Sequence, residues 1–139
     1  MLELLVAMLI FSVLLAYTIP TIRHYQREAV REHISGDFNL LSTALRIYHG
    51  NHGQYPAEKD YQSILMADKP RVLAKPLADP FSDYGNTNYI YKVSPNQHFY
   101  LVYSVGLLGN GNATISDAGK ITFQIGDPRI EKWESNGKL

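Results

Sequence analysis

With 139 residues, 13 basic and 13 acidic side chains and a formal net charge of zero, the chain is sized for one modest domain and lacks the broad basic surface of a nucleic-acid binder. It contains no cysteine, which excludes disulfides, iron–sulfur clusters, thiol catalysis and cysteine-based zinc sites. Its apolar content of 45% is ordinary, but the apolar residues are not evenly spread.

The chain opens MLELLVAMLIFSVLLAYTIP, in which Glu3 is the one charge. Twenty helical residues span roughly 30 Å, about one hydrocarbon thickness. Apolar residues lie all round this helix, so it is not an amphipathic surface helix. A secretory signal peptide needs a basic n-region and a small-residue cleavage site, and neither is present. The segment therefore reads as a helix that sits in a bilayer or in an equally dry packed core. A carboxylate there costs on the order of 2.5–3.5 kcal/mol at the bilayer centre and less near its edge. Glu3 is either a membrane-edge residue with its head in water or a charge that needs a specific partner. The nearest side-chain cation is Arg23, some 30 Å along the helix. The cation at the correct end is a chain amino terminus, its own or a neighbouring copy's.

After Pro20 the pattern changes. Ile22, Tyr25, Ala29, Ile34, Phe38, Leu41, Leu45 and Tyr48 follow steps of three to five residues, a helical stripe, with the arginines and glutamates mostly off it. Gly50, Gly53 and Pro56 supply the stop. The spacing predicts a helix from the N-terminus to about residue 49, bent or locally melted at Pro20, whose ring removes one backbone bond. It would be about 70 Å long, more than a globule of this size can bury. Its first half must be buried in something other than this chain's own core. The division falls into an apolar half, 1–20, and a head, 21–139, that includes the amphipathic half of the helix.

Residues 54–87 are rich in Pro, Asp, Gly and Asn and read as ordered loop, with a short helix over Tyr61–Met66. Three alternating segments predict strands at Asn88–Ser94, His98–Gly106 and Lys120–Gly126. The first two are joined by a hairpin turn, Ser94-Pro95-Asn96-Gln97, and the last two by a long loop. The expected fold is α+β, a long N-terminal helix packed on a small antiparallel sheet of about three strands. In the tail, Ile130 and Trp133 are expected to pack back onto the head.

Motifs for catalysis are absent. No nucleophile elbow, phosphate loop or dinucleotide fingerprint occurs, so the chain does not read as an enzyme. His49 and His52 lie at the helix end without a third ligand nearby, and His24, His33 and His98 are isolated, so all five read as surface or core-edge residues. Asp79 and Asp83, in DPFSDYG, read as turn aspartates capping backbone amides. Asn110, Asn112 and Asp117 sit in a Gly-rich loop of the kind that wraps calcium, but with one carboxylate a plain polar loop is the simpler reading. Asn112-Ala113-Thr114 is a glycosylation triplet that also arises by chance.

These residues resemble the type IV pilin superfamily, most closely the major pseudopilins of type II secretion systems. LELLVAMLIFSVLLAYTIP resembles the mature N-terminal signature, in which a glutamate follows a few apolar residues and a proline comes seventeen residues later, as Glu3 and Pro20 do. LSTALRIYHGNHGQYP is similar to the end of the pseudopilin helix. ADPFSDYGNTNYIY resembles the turn before the first strand, and FYLVYSVGLLG a later strand and loop. The lack of cysteine agrees with the pseudopilin branch.

The resemblance implies a pilin-like fold and a structural subunit of a helical filament, polymerising from the inner membrane to support type II protein secretion. A type IV pilus subunit for adhesion, motility or DNA uptake is the alternative, and a non-polymerising single-pass membrane protein with a periplasmic binding head is another. The implied partners are further copies of the chain, inner-membrane lipid before assembly, minor pseudopilins or pilins, an assembly platform protein, a prepilin peptidase and a cytoplasmic ATPase. The implied location is the inner membrane, then a periplasmic or extracellular filament. Glu3 would pair with a neighbour's N-terminus, Met1 would carry the amine, N-methylated where it is the mature start, and Pro20 would break the helix. Family chains carry four residues before the glutamate and lose a basic leader, so this chain reads as a mature or trimmed form. The family also suggests calcium, here a weak site at Asp117 and the Ser104 backbone. Because the usual acidic ligand is replaced by Leu108, calcium is expected to contribute little.

Overall fold

The structure, a computed structural model of the single chain, describes residues 2–81, 88–105, 112–124 and 132–138, with the side chains at 2, 15–27 and 132 outside the description. It divides into two units, Met1–His33 and Ile34–Leu139. Helix α1 (Leu2–His52) contributes to both.

α1 ends a little later than the stop signals suggest, and for a local reason. Gly53 adopts φ 75°, and its N–H donates to the His49 carbonyl at 2.7 Å. A left-handed residue just past the last turn closes a helix, and glycine takes that conformation without a Cβ penalty. Backbone helix continues through Pro20. Turns on either side can persist when a proline withholds a single donor. Among the described residues of the stripe, Ile34, Phe38, Leu41 and Leu45 are buried. Ala29 is exposed and Tyr48 half-buried.

The remainder of the Ile34–Leu139 unit is α2 (Tyr61–Ala67) and five short strands. α2 matches the short helix expected at Tyr61–Met66. β1 (Ile90–Val93) and β2 (Tyr100–Ser104) form the expected antiparallel hairpin, with Val93 opposite Tyr100 and Ile90 opposite Tyr103. Its turn is closed by Gln97 N–H donating to Ser94 O at 2.8 Å and Ser94 N–H to Phe99 O at 2.9 Å.

The third strand departs from expectation. β4 (Ile121–Phe123) pairs with β3 (Ala113–Ile115) in a separate two-stranded sheet. The place beside β2 is taken by β5 (Lys132–Ser135), drawn from the polar tail. The order is β1-β2-β5 in one sheet and β3-β4 in the other. β5 starts with charge and carries Trp133 between Lys132 and Glu134, as an edge strand does. Trp133 packs on Phe123 with ring centroids 5.8 Å apart, which fulfils the expectation that it folds back. Ile130 lies outside the described residues.

Every residue of β2 is buried, so the one-sided burial that alternation over His98–Gly106 implies does not hold in this strand. On one side Leu101 and Tyr103 join Ala113, Ile115 and Ile121 in a core cluster. On the other, Tyr100 packs on Tyr55 at 4.8 Å, and Tyr55 on His49 of α1 at 4.5 Å. Just before β1, Tyr89 meets Phe38 edge-on at 5.0 Å and donates its hydroxyl to the buried Asp37 carboxylate at 2.8 Å. These contacts join the second half of α1 to the sheet.

Candidate functional site

The opening of α1 is the first candidate. Leu4, Leu5, Val6, Met8, Leu9, Ile10, Phe11, Val13 and Leu14 are each 52–71% exposed. Burying a large apolar side chain stabilises by about 1.5–3 kcal/mol, so covering nine of them is worth more than ~10 kcal/mol gross. A surface of that kind marks a partner or a lipid phase. The segment's hydroxyl is already satisfied, because Ser12 donates to the carbonyls of Met8 at 2.8 Å and Leu9 at 3.0 Å. A dry surrounding would leave it no unmet donor. Glu3, also exposed, sits in the first turn, where the free N–H groups and helix dipole favour a carboxylate. Met1 lies outside the described residues, as does the side chain of Pro20. Among the described residues no helix is long and apolar enough to cross a membrane. The side chains of 15–27, which include the rest of the apolar run, lie outside that description.

The second candidate is the loop that could hold calcium, of which Asp117 and Ser104 are among the described residues. The Asp117 carboxylate accepts from Asn96 N–H at 2.7 Å, while its carbonyl accepts from Asn96 Nδ2 at 3.0 Å. Asn96 Oδ1 in turn accepts from Ser94 Oγ at 2.6 Å and His98 N–H at 3.1 Å. Asp117 thus latches the β3–β4 turn to the β1–β2 turn, at the Tyr100 end of β2. Ser104 closes the other end of that strand, roughly 13 Å away along four residues. Its hydroxyl donates to Asp79 Oδ1 at 2.9 Å. The Asp117 carboxylate and the Ser104 hydroxyl each serve a bond within the protein. Among the described residues no three acidic or histidine side chains gather as metal ligands. Leu108 and Asn110 lie outside the described residues.

Asp79 performs the capping role expected of it. Besides Ser104 Oγ, it accepts from Phe81 N–H and Val105 N–H, both at 3.0 Å, and is only 2% exposed. Asp83 lies outside the described residues. His49 and His52 diverge: His49 packs on Tyr55, whereas His52 Nε2 meets Asp68 Oδ1 at 2.9 Å. That contact holds the Asp68 carboxyl below its ordinary range. Burial raises the phenol pKa values of Tyr55, Tyr61, Tyr89, Tyr91 and Tyr103, and pushes Tyr100 up to about 12. The tyrosines are packing groups held neutral.

Leu40 and Ile47 are 56% and 45% exposed on the outward side of α1 in the head, flanked by Gly36, Thr43 and Gly50. The signal was available in the spacing of large and small residues.

Compared with known proteins, the chain matches no family model, no curated sequence and no solved structure.

Proposed function

We propose that the protein is the subunit of a helical filament, of the major pseudopilin kind, which polymerises from the inner membrane to support protein export. One observation carries this: nine large apolar side chains stand exposed at the start of α1, while the Ile34–Leu139 unit has a closed core of its own. Such a segment needs a dry phase, and both a bilayer and a bundle of like helices supply one. One sequence then serves as anchor before assembly and as polymer core after it. Heterologous contacts repeated from copy to copy by a rotation that does not close give an open helical filament and not a ring.

In the filament Glu3 pairs with the N-terminal amine of an adjacent copy. Pro20 marks where the helix opens or bends as copies pack. The work of extraction from the membrane belongs to a separate ATPase and platform protein. Breaking a buried pair from one side leaves the other charge unpaired, at a cost of about 3–5 kcal/mol. Glu3→Ala is therefore expected to insert in membrane as well as the parent chain while yielding few filaments. Filaments at parental yield would refute the pairing. Secretion in a deletion strain separates export from a surface pilus of adhesion, motility or DNA uptake: loss of exported protein supports the pseudopilus, and loss of attachment or uptake with secretion intact supports the pilus.

A further inference from the structure

We infer that Asn136-Gly137 is a self-modifying latch. As the native amide it holds β5 and Lys138 closed on the head; once they open it deamidates to aspartate or isoaspartate, which keeps them open. The inference concerns the Ile34–Leu139 unit alone and stands apart from the filament reading.

Just past β5 the chain crosses from one sheet to the other. Asn136 supplies with its side chain what a further strand residue would supply with its backbone. Its Oδ1 accepts from Tyr100 N–H at 2.8 Å, and its Nδ2 donates to the His98 carbonyl at 3.0 Å. Lys138 then joins the β3–β4 side, donating to the Gly119 carbonyl at 2.7 Å and accepting from Ile121 N–H at 2.9 Å. Gly137 lies between the two. A Cβ built there collides with the Gly119 carbonyl oxygen, so the crossing needs glycine. The two bonds at position 136 need a short side chain with both a donor and an acceptor. Asparagine has them, whereas aspartate lacks the donor. The fold thus asks for Asn and then Gly, for separate reasons.

Together they make the dipeptide in which an asparagine amide is most open to attack by the next backbone nitrogen, because glycine has no side chain to obstruct it. The Gly137 nitrogen adds to Asn136 Cγ and the Cγ–Nδ2 bond breaks. Ammonia leaves, carrying the proton lost from Gly137 N, and a five-membered succinimide remains. Water then opens the ring, at Cγ to give aspartate or at the backbone carbonyl to give isoaspartate, and a proton returns to the nitrogen. No electrons are exchanged with an outside partner. The native contacts oppose the first step: they fix the carboxamide on residues 98 and 100, and Gly137 N–H donates to Ser135 Oγ at 2.9 Å. The Ser135 hydroxyl is itself held by the Tyr100 carbonyl. Attack therefore requires β5 to leave β2. A four-residue strand at a sheet edge is the kind of element that opens without global unfolding. Asn136 is exposed, so water for the second step is at hand. Neither product restores the latch. Aspartate sets an oxygen against the His98 carbonyl with no proton between them. Isoaspartate adds a carbon to the backbone and moves Lys138 off its partners at 119 and 121.

The test uses the full-length chain dispersed in detergent and held warm at mildly alkaline pH, in buffer and in urea. Peptide mapping by mass spectrometry follows the replacement of NH2 by OH at Asn136, separately from Asn110-Gly111, the other such pair in the sequence. Conversion at Asn136 is expected to be at least tenfold slower in buffer than in urea. Ser135→Ala, which removes the acceptor of Gly137 N–H, is expected to speed it severalfold in buffer and leave the rate in urea unchanged. After the urea is removed, the converted chain is expected to exchange its amides at 132–138 freely, while unconverted chain protects them. Asn136→Asp is expected to reproduce that exchange and to unfold at a lower temperature than the parent. Equal conversion in buffer and in urea, or none in urea, overturns the modification. Converted chain that protects 132–138 as the parent does overturns the latch. Both decisive readings come from the parental chain, so they stand even if a variant does not fold.

Discussion

Phe11 and Phe38 stand on the same helix and meet opposite fates. Phe11 is 65% exposed among other exposed apolar side chains; Phe38 is 2% exposed and packs edge-on against Tyr89. The contrast extends to their units. In Ile34–Leu139 the apolar residues of α1 form a stripe with a sheet to cover it, and buried polar groups such as Asp79 and Gln62 are bonded. Gln62 illustrates the thoroughness, since its amide both donates to the Leu77 carbonyl at 2.8 Å and accepts from Leu77 N–H at 2.7 Å. In Met1–His33 the described apolar side chains point all round and find no cover. Burial, and not hydrophobicity, separates the two: one stretch completes its own core, and the described apolar side chains of the other stand exposed.

The largest expected effect comes from exchanging the two phenylalanines' fates by deletion. Phe38→Ala removes a buried ring and is expected to destabilise the head by about 3–5 kcal/mol. Phe11→Ala is expected to leave head unfolding unchanged and to act on assembly alone. Urea unfolding followed by the near-ultraviolet signal of the head separates them, and equal destabilisation by both would erase the distinction between the units.

Next in size is Asp79→Ala, which strands the Ser104 hydroxyl and two backbone N–H groups. Loss of a buried carboxylate with several donors is expected to cost about 2–3 kcal/mol. The same unfolding assay measures it, and no polar deletion among the described residues of 4–14 is expected to match it.

A third effect is set by pH. The buried phenols have folded pKa values above the ordinary value of about 10, so above that pH the unfolded chain binds fewer protons than the folded one. Their contribution is full below pH ~10 and is lost as pH rises toward and beyond the value of about 12 for Tyr100. Unfolding midpoints at pH 8 and pH 11 check this, with a lower midpoint expected at pH 11. Equal midpoints would contradict the packing described for the tyrosines.

The smallest effect concerns the turn latch. Asp117→Ala is expected to lower head stability by about 1 kcal/mol through loss of its bonds to Asn96. The loss should be the same in millimolar calcium and in chelator. A calcium-dependent rise of several degrees, abolished by Asp117→Ala, would instead indicate a bound ion near saturation.

Much of the head was legible in the sequence. The Ile34–Leu45 stripe, the β1–β2 hairpin with its Ser94–Gln97 turn and the capping role of Asp79 all follow from local pattern and turn chemistry. β3 and β5 were not legible, because Ala113–Ile115 and Lys132–Ser135 are three and four residues long and become strands only through their partners. Asn136 shows how non-local this is: its side chain accepts from Tyr100 N–H at 2.8 Å and donates to the His98 carbonyl at 3.0 Å, joining residues far apart in sequence. The candidate site divides in the same way. Glu3 and the apolar run stand out by composition alone. The exposure of Leu40 and Ile47 emerges only once the opposite face of α1 is known to be covered. The Asp117 latch needed the two turns to be seen together.

The central claim is that other copies of this chain cover the apolar start of α1. Electron microscopy of material sheared from cells overexpressing the full-length chain tests it most directly. The expected result is filaments of uniform width composed of this protein and lost on Glu3→Ala. Full-length chain that stays dispersed in the membrane, with no filaments at high expression, would contradict it.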